Sequence, residues 1–385
     1  MDFQGYRRAN GKVGVRNHVL VIPSVVCSQG AAEAITRNVK GAVYLPNVFG
    51  CAQVGADREQ TKRTLVGFGT NPNIFSVLVV GNGCENLPAK EVAGAIAPSK
   101  KRVEYIEIQE VGGTKKTITK GRKIVKEMLA EAAALPREPI PLSELILATE
   151  CGGSDYTSGL ASNPALGAAS DLLVQAGGTV ILSETTELIG AEHLLARRAR
   201  SPEIGRQVLD LIAWWEKEAI ATGQDIRGAN PAPGNIAGGI TTIEEKSLGC
   251  IYKGGTTTLE EVVKYAFPPT KKGLILMDTP GHDIDQLTGM MAGGAQIAVF
   301  TTGRGTPTGS PIAPVIKISG NADTCRKMKD NIDLCVSQIV QGKETVKEAG
   351  KRVLDEVVAV ASGKLSKAEK LGQRDFCIFK IGLNF

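Results

Sequence analysis

Four cysteines of this chain are each predicted to lie in a turn beside a glycine: Cys51, Cys84, Cys151 and Cys250. Two of these turns follow apolar runs that predict β-strands, at 77–80 and 145–148. In an open α/β sheet, ligands bind beyond the carboxyl ends of the strands. Thiolates are soft ligands that favour iron, iron–sulfur clusters or zinc over magnesium or calcium. We therefore expect at least two of the four to bind metal; the alternative is that some of them fill the core.

The other four cysteines give weaker signals. Cys27 ends the first apolar run and could line the same face as the turn cysteines. Cys325, Cys335 and Cys377 fall in segments that predict helices or a terminus, and we expect them to pack as small apolar side chains. The chain has no C-x-x-C pair and no apolar signal-peptide region at its N-terminus. We therefore expect reduced thiols, metal ligands or buried side chains, not a disulfide framework.

Groups that could move a proton are few, because the chain has only three histidines. His282 follows a predicted strand and could act as a general acid or base near neutral pH. Lys246 lies on a predicted short helix just before Cys250, where it could be a base or the partner of a carboxylate. The alternatives are a polar surface turn for His282 and an ordinary capping segment for Lys246.

A glycine-rich loop at 303–310 follows another predicted strand, which is continued by Thr301 and Thr302. The loop lacks the Lys-Ser/Thr ending and the following helix of a nucleotide P-loop. Its backbone N–H groups, the threonine hydroxyls and the guanidinium of Arg304 could instead bind a carboxylate. A tight surface loop is the alternative.

Composition restricts the class of protein. A chain of 385 residues is long enough for two domains or more, and a hydrophobic content of 42% is typical of a globular protein. The net charge of +5 is mild and the basic residues are dispersed, which favours anionic substrates and argues against a nucleic-acid partner. No apolar run reaches the ~20 residues of a membrane helix. We expect a cytoplasmic protein with no membrane partner.

Strand and helix patterns alternate along the chain, which predicts an α/β fold of two Rossmann-like lobes with largely parallel sheets. The proline-rich segment 136–141 is the best candidate linker, giving an N-terminal α/β lobe at 1–137 and a C-terminal catalytic α/β lobe at 142–385. Two helices, at 323–340 and 345–361, are predicted to close the second lobe. A nucleotide-binding dehydrogenase is excluded, because no G-x-G-x-x-G motif follows the first strand.

A series of short motifs resembles the altronate/galactarate dehydratase family of hydro-lyases. The motifs run in order along the chain: GYRR at 5–8, GKVGVRN at 11–17, GC at 50–51, GCE at 83–85, ECGGSD at 150–155, GN at 234–235, EEK at 244–246, GC at 249–250 and TTGRG at 301–305. The resemblance therefore covers nearly the whole chain. The same family includes the large subunit of (2R)-sulfolactate sulfo-lyase, which has a similar layout.

The resemblance implies a metal-dependent lyase that removes water from a sugar acid such as altronate or galactarate, giving a 2-keto-3-deoxy acid in carbohydrate catabolism. Two alternatives stay open. One is the large subunit of (2R)-sulfolactate sulfo-lyase, which releases sulfite and pyruvate, and the other is a non-catalytic ligand-binding or scaffold homologue. Iron, as Fe²⁺ or as an iron–sulfur cluster, is the expected cofactor, and manganese is a further possibility.

On this basis, the glycine-turn cysteines would hold the iron, and Lys246 or His282 would move protons. Four polar residues would bind the hydroxy-acid substrate: Asn235, Thr301, Thr302 and Arg304. Enzymes of the family also carry a small β-rich domain, either fused at the N-terminus or supplied as a separate subunit. Because this chain begins at its GYRR motif, we expect a small β-rich partner subunit, and we also expect a homo-oligomer.

Overall fold

Strands and helices alternate through the first third of the chain in a computed structural model that describes residues 2–385. Its elements are β1 (Asp2–Arg7), β2 (Val13–Gly14), β3 (His18–Pro23), α1 (Gln29–Thr36), β4 (Ala42–Tyr44), α2 (Gly55–Thr70), β5 (Ile74–Gly81), α3 (Ala89–Ile96), β6 (Arg102–Glu107), α4 (Ile108–Val111), α5 (Thr114–Ala133) and β7 (Glu138–Pro141). Four of these strands form a parallel sheet in the order β4-β3-β5-β6.

Both faces of this smaller sheet are covered, which is why its strands carry continuous apolar runs. On β3, Val19 and Val21 pack with residues of α1 and α5, while Leu20 and Ile22 face the other way. The second pair belongs to a core that also contains residues of the C-terminal half, such as Phe300. The two halves of the chain are therefore joined by a continuous buried core.

The rest of the chain forms a larger sheet. Its elements are β8 (Ile146–Cys151), α6 (Asn163–Gln175), β9 (Thr179–Leu182), α7 (Glu192–Arg197), α8 (Pro202–Ala221), α9 (Ile226–Ala229), α10 (Pro233–Ala237), α11 (Ile243–Ile251), β10 (Leu259–Val263), β11 (Gly273–Met277), α12 (Asp283–Ala292), β12 (Ile297–Thr301), β13 (Val315–Ser319), α13 (Ala322–Lys327), β14 (Leu334–Cys335), α14 (Val346–Ala361) and α15 (Lys367–Lys370). Seven strands pair in parallel in the order β10-β11-β9-β8-β12-β13-β14. The predicted α/β fold with largely parallel sheets is confirmed. Within residues 2–385, no helix has both the length and the apolar character needed to cross a bilayer.

The strand order places β8 at the topological switch point of the larger sheet. The chain passes from β8 to β9 on one side, and it later returns to β12 on the other side. Ligands of open α/β sheets bind at such a point, in the crevice beyond the carboxyl ends of the strands. Because β8 ends at Cys151 and β12 ends at Thr301, both residues lie at this crevice.

Two buried asparagines hold the amino edges of the two parallel sheets together. Asn73 Oδ1 accepts a hydrogen bond from Val15 N at 2.8 Å, and the Asn73 amide donates to the Gln296 carbonyl at 2.8 Å. The amide of Asn71 donates to the Met291 carbonyl, also at 2.8 Å. These bonds fix the two sheets to each other at the edge opposite the cysteine loops.

The proline-rich segment that was predicted as a linker contains a strand. β7 pairs antiparallel with β1, which also pairs with β2, so these strands form a small sheet in the order β2-β1-β7. Proline is tolerated on an edge strand because some of its N–H positions have no ladder partner. An ion pair of 2.6 Å between Arg7 and Glu138 joins the same two strands. Sequence reasoning missed this pairing because the partners lie far apart in the chain.

The prediction of one long helix at 323–340 is wrong. α13 is short, the chain then reverses, and β14 adds to the sheet beside β13. The carboxylate of Asp333 stabilises the reversal by accepting a hydrogen bond from Lys317 N at 2.8 Å. The reversal brings Cys325 and Cys335 into a disulfide with their Cα atoms 6.0 Å apart. The expectation that these two cysteines pack as free thiols is therefore wrong as well.

Lys317, on β13, is fully buried and holds the loop that follows β12. Its ammonium group donates to the Thr308 carbonyl at 2.7 Å, and burial lowers its pKa from 10.5 to about 8. Between pH 8 and pH 10.5, the unfolded chain binds more protons than the folded chain. The free energy of unfolding therefore increases as the pH rises through this window. We expect the free energy of unfolding to increase by about 3 kcal/mol relative to Lys317→Met over this window. Urea unfolding at stepwise pH would measure it, and equal pH dependence in both proteins would contradict it.

Candidate active site

The candidate site begins where β8 ends. The last two residues of the strand are Glu150 and Cys151, and both are buried. Gly152 follows, and a Cβ on this residue would lie 2.3 Å from a carboxylate oxygen of Asp283 at the start of α12. A side chain at this glycine would displace that carboxylate. The absence of a side chain therefore lets Asp283 lie directly beside the end of β8.

The helix α11 supplies an amine and a thiol. It begins after Thr242, whose hydroxyl caps the helix by accepting a hydrogen bond from Glu245 N. Lys246 and Cys250 are four residues apart on this helix, so they lie on the same face. Cys250, which was predicted in a turn after a short helix, is thus inside the helix, and the helical spacing determines its position relative to Lys246.

Four buried side chains converge between these elements: Cys151, Glu184, Glu187 and Cys250. One potential ligand atom from each lies within 4.8 Å of the others. Both thiols contact the Glu184 carboxylate, Cys151 Sγ at 3.2 Å and Cys250 Sγ at 3.6 Å. Glu184 follows β9 with φ of 67°, a left-handed conformation that is rare for residues other than glycine. Backbone strain of this kind is common at functional sites, where the surrounding structure enforces it.

Two lysines face the two carboxylates of this cluster. Lys246 Nζ lies 2.6 Å from Glu187 Oε1 and 3.0 Å from Asn230 Oδ1. Lys253, fully buried in the helical turn after α11, forms an ion pair with Glu184. Removing one partner of a buried ion pair leaves an uncompensated charge, which costs about 3–5 kcal/mol. The two pairs therefore hold both carboxylates and both amines in defined positions.

Burial changes the protonation of the acidic groups. It raises the pKa of Glu187 to about 7 and the pKa of Asp283 to about 6. Burial, together with the neighbouring Asp283, raises the pKa of Glu150 well above its ordinary value. The hydrogen bond between the two thiols lowers the pKa of Cys151 well below that of a free cysteine, while it raises that of Cys250. The Cys151 thiolate, which is the form that binds metals, is therefore favoured.

Lys246 and Glu187 form an acid–base pair. Burial lowers the pKa of Lys246, but the attraction of Glu187 outweighs burial, and the net pKa is raised. The lysine is therefore an ammonium group at neutral pH, able to donate a proton. Glu187, with its pKa of about 7, is able to accept one. Neighbouring groups with separated pKa values are the usual arrangement for an acid and a base in one site.

The donor set fits a metal ion. Glu187 Oε2 and both carboxylate oxygens of Glu150 are buried without a hydrogen-bond partner, which is unfavourable unless a ligand meets them. The site has more acidic groups than lysines, so a divalent cation would reduce its negative charge. The acidic groups are Glu150, Cys151, Glu184, Glu187, Cys250 and Asp283. Thiolates among the donors favour iron or zinc, whereas manganese prefers oxygen and water ligands.

Two cavities meet at the loop after β8. A small cavity of about 40 Å³ is lined by Cys151 and Lys246, among other residues. A wider cleft of about 520 Å³ is lined by Arg304 and Lys327 and has a more open shape. Asp155 lines both. A small molecule bound in the cleft would therefore lie next to the small cavity that Cys151 and Lys246 line.

Of the residues predicted to bind substrate, Arg304 lines the cleft. Its guanidinium donates to the Gly234 carbonyl at 3.0 Å and so connects the loop after β12 to α10. Asn235 is buried, and its amide donates to the Ser154 carbonyl at 2.9 Å. Asn235 thus fixes the loop after β8, and a direct contact with substrate stays a prediction.

The two threonines at the end of β12 are fully buried. The Thr301 hydroxyl donates to the Glu150 carbonyl at 3.2 Å, and the Thr302 hydroxyl accepts a hydrogen bond from Gly305 N at 2.9 Å. These bonds join β12 to β8 and close the glycine-rich loop. The structure assigns both hydroxyls a positioning role, and their predicted contact with substrate stays untested.

The remaining predicted site residues lie outside the buried cluster. The His282 side chain is 60% exposed, and its Nδ1 lies 3.2 Å from Asp285 Oδ2. Together with the half-buried Cys377, they form a second group of potential ligands. Cys51 and Cys84 are exposed on the loops after β4 and β5, which belong to the smaller sheet. The structure therefore brings together two of the four turn cysteines and places the other two elsewhere.

Sequence reasoning missed Glu184, Glu187 and Lys253. A signal for the two glutamates was present, because the polar run 183–187 directly follows the predicted strand at 179–182. This is the same position relative to a strand that made Cys151 a candidate. Lys253 had no such signal, since its role depends on burial beside Glu184.

Comparison with protein families and characterised proteins gives two matches that together span most of the chain. Residues 142–384 match the family described as D-galactarate/altronate dehydratase, C-terminal. Residues 5–133 match the D-galactarate dehydratase/altronate hydrolase, second domain.

Individual relatives agree with these matches. The (2R)-sulfolactate sulfo-lyase subunit beta of Chromohalobacter salexigens is 38% identical over 384 residues, which cover 98% of this chain and 97% of the relative. The altronate dehydratase of Bacillus subtilis is 36% identical over 99% of this chain and 78% of its own length. The galactarate dehydratase (L-threo-forming) of Escherichia coli is 36% identical over 94% of this chain and 73% of its own length.

Proposed function

This chain belongs to the D-galactarate/altronate dehydratase family of lyases, and on that premise we propose that it removes water from a sugar acid such as altronate or galactarate. The product would be a 2-keto-3-deoxy acid. The observation that carries this proposal is the arrangement of Lys246, Glu187 and Cys151 around one buried cluster, next to a cleft that contains Arg304.

The reaction requires a base, an acid and a positive charge near the substrate carboxylate. The proton on the carbon beside a carboxylate is weakly acidic, and it can be removed once the carboxylate charge is compensated. Arg304 would bind that carboxylate from the cleft, by charge-assisted hydrogen bonds. Glu187 would accept the proton, since its pKa of about 7 is close to the working pH.

Lys246 would complete the elimination as the acid. When the carbon–hydrogen bond breaks, its electrons form a double bond to the neighbouring carbon, and the carbon–oxygen bond there breaks. The departing hydroxide takes a proton from the Lys246 ammonium group and leaves as water. The enol that forms then tautomerises to the 2-oxo acid. The 2.6 Å contact between Lys246 and Glu187 would allow the proton to return between turnovers.

We propose Cys151, Cys250 and Glu184 as the ligands of an iron ion, because both thiols contact the same carboxylate. When bound, the iron supplies Lewis-acid polarisation of substrate oxygen atoms. Three protein ligands would leave a position for substrate, as catalytic metal sites generally do. Lys253, paired with Glu184, would hold that carboxylate in place.

A second candidate is release of sulfite from (2R)-sulfolactate, giving pyruvate. The relative that is named as subunit beta of that lyase aligns with 98% of this chain at 38% identity. The cleft is lined by two cations, Arg304 and Lys327, each of which could bind one anionic group, and by the carboxylates Asp155 and Asp323. The name of this relative further supports a partner subunit, and we propose that a small β-rich subunit assembles with this chain.

A substrate panel under anaerobic conditions tests the proposed function. The chain would be loaded with Fe²⁺ and assayed with altronate, galactarate and sulfolactate, alone and with the product of a neighbouring gene for a small subunit. Formation of a 2-oxo acid without sulfite supports the dehydratase. Formation of pyruvate from sulfolactate together with an equal amount of sulfite supports the sulfo-lyase. If none of the three substrates is turned over, with or without the small subunit and despite bound iron, a non-catalytic homologue is favoured.

Replacing Arg304 should affect mainly substrate binding. A charge-assisted hydrogen bond contributes about 2 kcal/mol, so Arg304→Gln should raise KM roughly 30-fold with a smaller change in kcat. Arg200→Gln is the matched control, because Arg200 pairs with Glu260 on the surface outside the cleft. Steady-state kinetics on the substrate identified by the panel would measure both. An unchanged KM in Arg304→Gln would remove this residue from the substrate site.

A further inference from the structure

A second group of potential ligands lies where the C-terminal segment (371–385) contacts α12. His282 occupies the N-cap position of this helix, Asp285 lies in its first turn, and Cys377 comes from the C-terminal segment. One potential ligand atom from each residue lies within 4.8 Å of the other two. None of the three belongs to the buried cluster around Cys151, and the proposed elimination uses none of them.

Contacts on both sides of Cys377 hold the C-terminal segment in place. Its backbone N–H donates to the Thr288 hydroxyl on α12 at 3.2 Å. Two residues later, the Phe379 ring packs against the Tyr265 ring, with the centroids 6.0 Å apart. The Tyr265 hydroxyl in turn donates to the Asp285 carbonyl at 2.9 Å. The three potential ligands therefore lie on segments that are already packed together, so that little ordering is needed when an ion binds.

The carboxylate of this group is buried and incompletely satisfied. Asp285 is 9% exposed, and its Oδ1 is buried without a hydrogen-bond partner. Within residues 2–385, the only ion-pair partner of this carboxylate is His282, whose imidazole is charged only when it is protonated. A buried carboxylate oxygen without a partner is unfavourable, and a cation bound beside it would remove that cost. This observation is independent of the short distances within the group.

The donor types and their separation suit zinc. Bonds from zinc to nitrogen and oxygen are about 2.0–2.1 Å long, which places two ligand atoms of a tetrahedron about 3.3 Å apart. His282 Nδ1 lies 3.2 Å from Asp285 Oδ2. Zinc binds imidazole, carboxylate and thiolate ligands together, whereas calcium and magnesium take oxygen ligands. The His282 side chain is 60% exposed, so water has access to a fourth position on the ion.

We propose that His282, Asp285 and Cys377 bind a zinc ion, with water as the fourth ligand. The ion ties the C-terminal segment to the start of α12. The same helix start carries Asp283, whose carboxylate lies beside Gly152 at the end of β8. The zinc therefore also holds the helix end that presents this carboxylate to the buried cluster. The site goes beyond the proposed function and does not depend on it, and it gives His282 a role other than moving protons.

Titration with Zn²⁺ tests this site. Fe²⁺ lies below Zn²⁺ in the Irving–Williams order, so this group should bind zinc more tightly than iron. The buried cluster has two thiols that also attract zinc, and Cys151→Ser removes one of them. Zn²⁺ would therefore be titrated into the metal-free Cys151→Ser chain and followed by calorimetry and by thermal unfolding. We expect about one tightly bound zinc per chain, and an unfolding temperature that rises with the zinc concentration because the folded chain binds the ion.

Substitutions added to Cys151→Ser locate the bound zinc. His282→Gln or Cys377→Ser should lower the zinc affinity by roughly 100-fold or more, because losing a partner outside the ligand shell already costs roughly 10–100-fold. Either substitution should also remove the zinc-dependent rise of the unfolding temperature. His193→Gln and Cys27→Ser are the matched controls, because both residues are exposed and lie outside the group. The controls should bind zinc as Cys151→Ser does.

Three results would overturn the proposal. They are the absence of tight zinc binding in Cys151→Ser, an unchanged zinc affinity after His282→Gln, and equal losses in His282→Gln and His193→Gln, which would indicate adventitious binding only. If Cys151→Ser does not fold, the same substitutions would be compared in the wild-type chain after Fe²⁺ has been bound at the buried cluster. Failure of the proposed elimination would leave the zinc result unchanged, so the two proposals can be judged separately.

Discussion

Lys246→Gln is expected to lower kcat by roughly 10²–10⁴-fold, the usual contribution of a positioned acid or base. The lysine is buried 2.6 Å from Glu187 and lines the small cavity beside Cys151, so its loss removes the proposed proton donor. A glutamine amide can still donate a hydrogen bond to Glu187, which limits the cost of an unpaired buried carboxylate. The KM should change much less than kcat, because the proposed carboxylate contact is made by Arg304.

Lys272→Met is the control for this prediction, since Lys272 lies on the surface and pairs with Glu144. Anaerobic steady-state kinetics, with the bound iron measured in parallel, would compare the two variants. If Lys246→Gln fails to fold, the double variant with Glu187→Gln removes both charges of the pair. A folded Lys246→Gln protein with wild-type kcat would show that another group donates the proton.

Cys151→Ser is expected to abolish tight binding of Fe²⁺ at the buried cluster. Replacing partners outside the ligand shell already costs roughly 10–100-fold in metal affinity, and a ligand should cost at least as much. The substitution removes the group whose pKa is lowered well below that of a free cysteine and which contacts Glu184 at 3.2 Å. Activity should fall with the metal content.

Titration of Fe²⁺ into the metal-free chain would measure the affinity for iron. Cys377→Ser is the control, because it removes a half-buried thiol of the C-terminal half that lies outside the cluster. We expect the control to bind Fe²⁺ as the wild type does. Unchanged affinity in Cys151→Ser would contradict the prediction, and a loss confined to Cys377→Ser would assign the iron to the group around His282 instead.

Sequence periodicity determined much of the fold. The apolar runs of β3, β5 and β8 predict buried parallel strands because such strands are covered on both faces. α6 has proline near its first position, which is a local signal for the start of a helix. These features depend on local backbone preferences and on burial patterns within a few residues. The same locality explains why the long helix predicted at 323–340 failed, since strand pairing of β14 and the bond between Cys325 and Cys335 are contacts between separate segments.

For the site, the sequence by itself made Cys151 and Cys250 candidates because of their glycine turns, and made Lys246 a candidate because of its place on a predicted short helix. It also indicated that thiolate chemistry is available, and the family motifs indicated a lyase. The tertiary structure alone decided which cysteines meet. Cys151 and Cys250 share a buried cluster with Glu184 and Glu187, while Cys51 and Cys84 belong to the other sheet. The physical reason is that strand order and packing between distant segments place these groups, and neither leaves a local periodic pattern in the sequence.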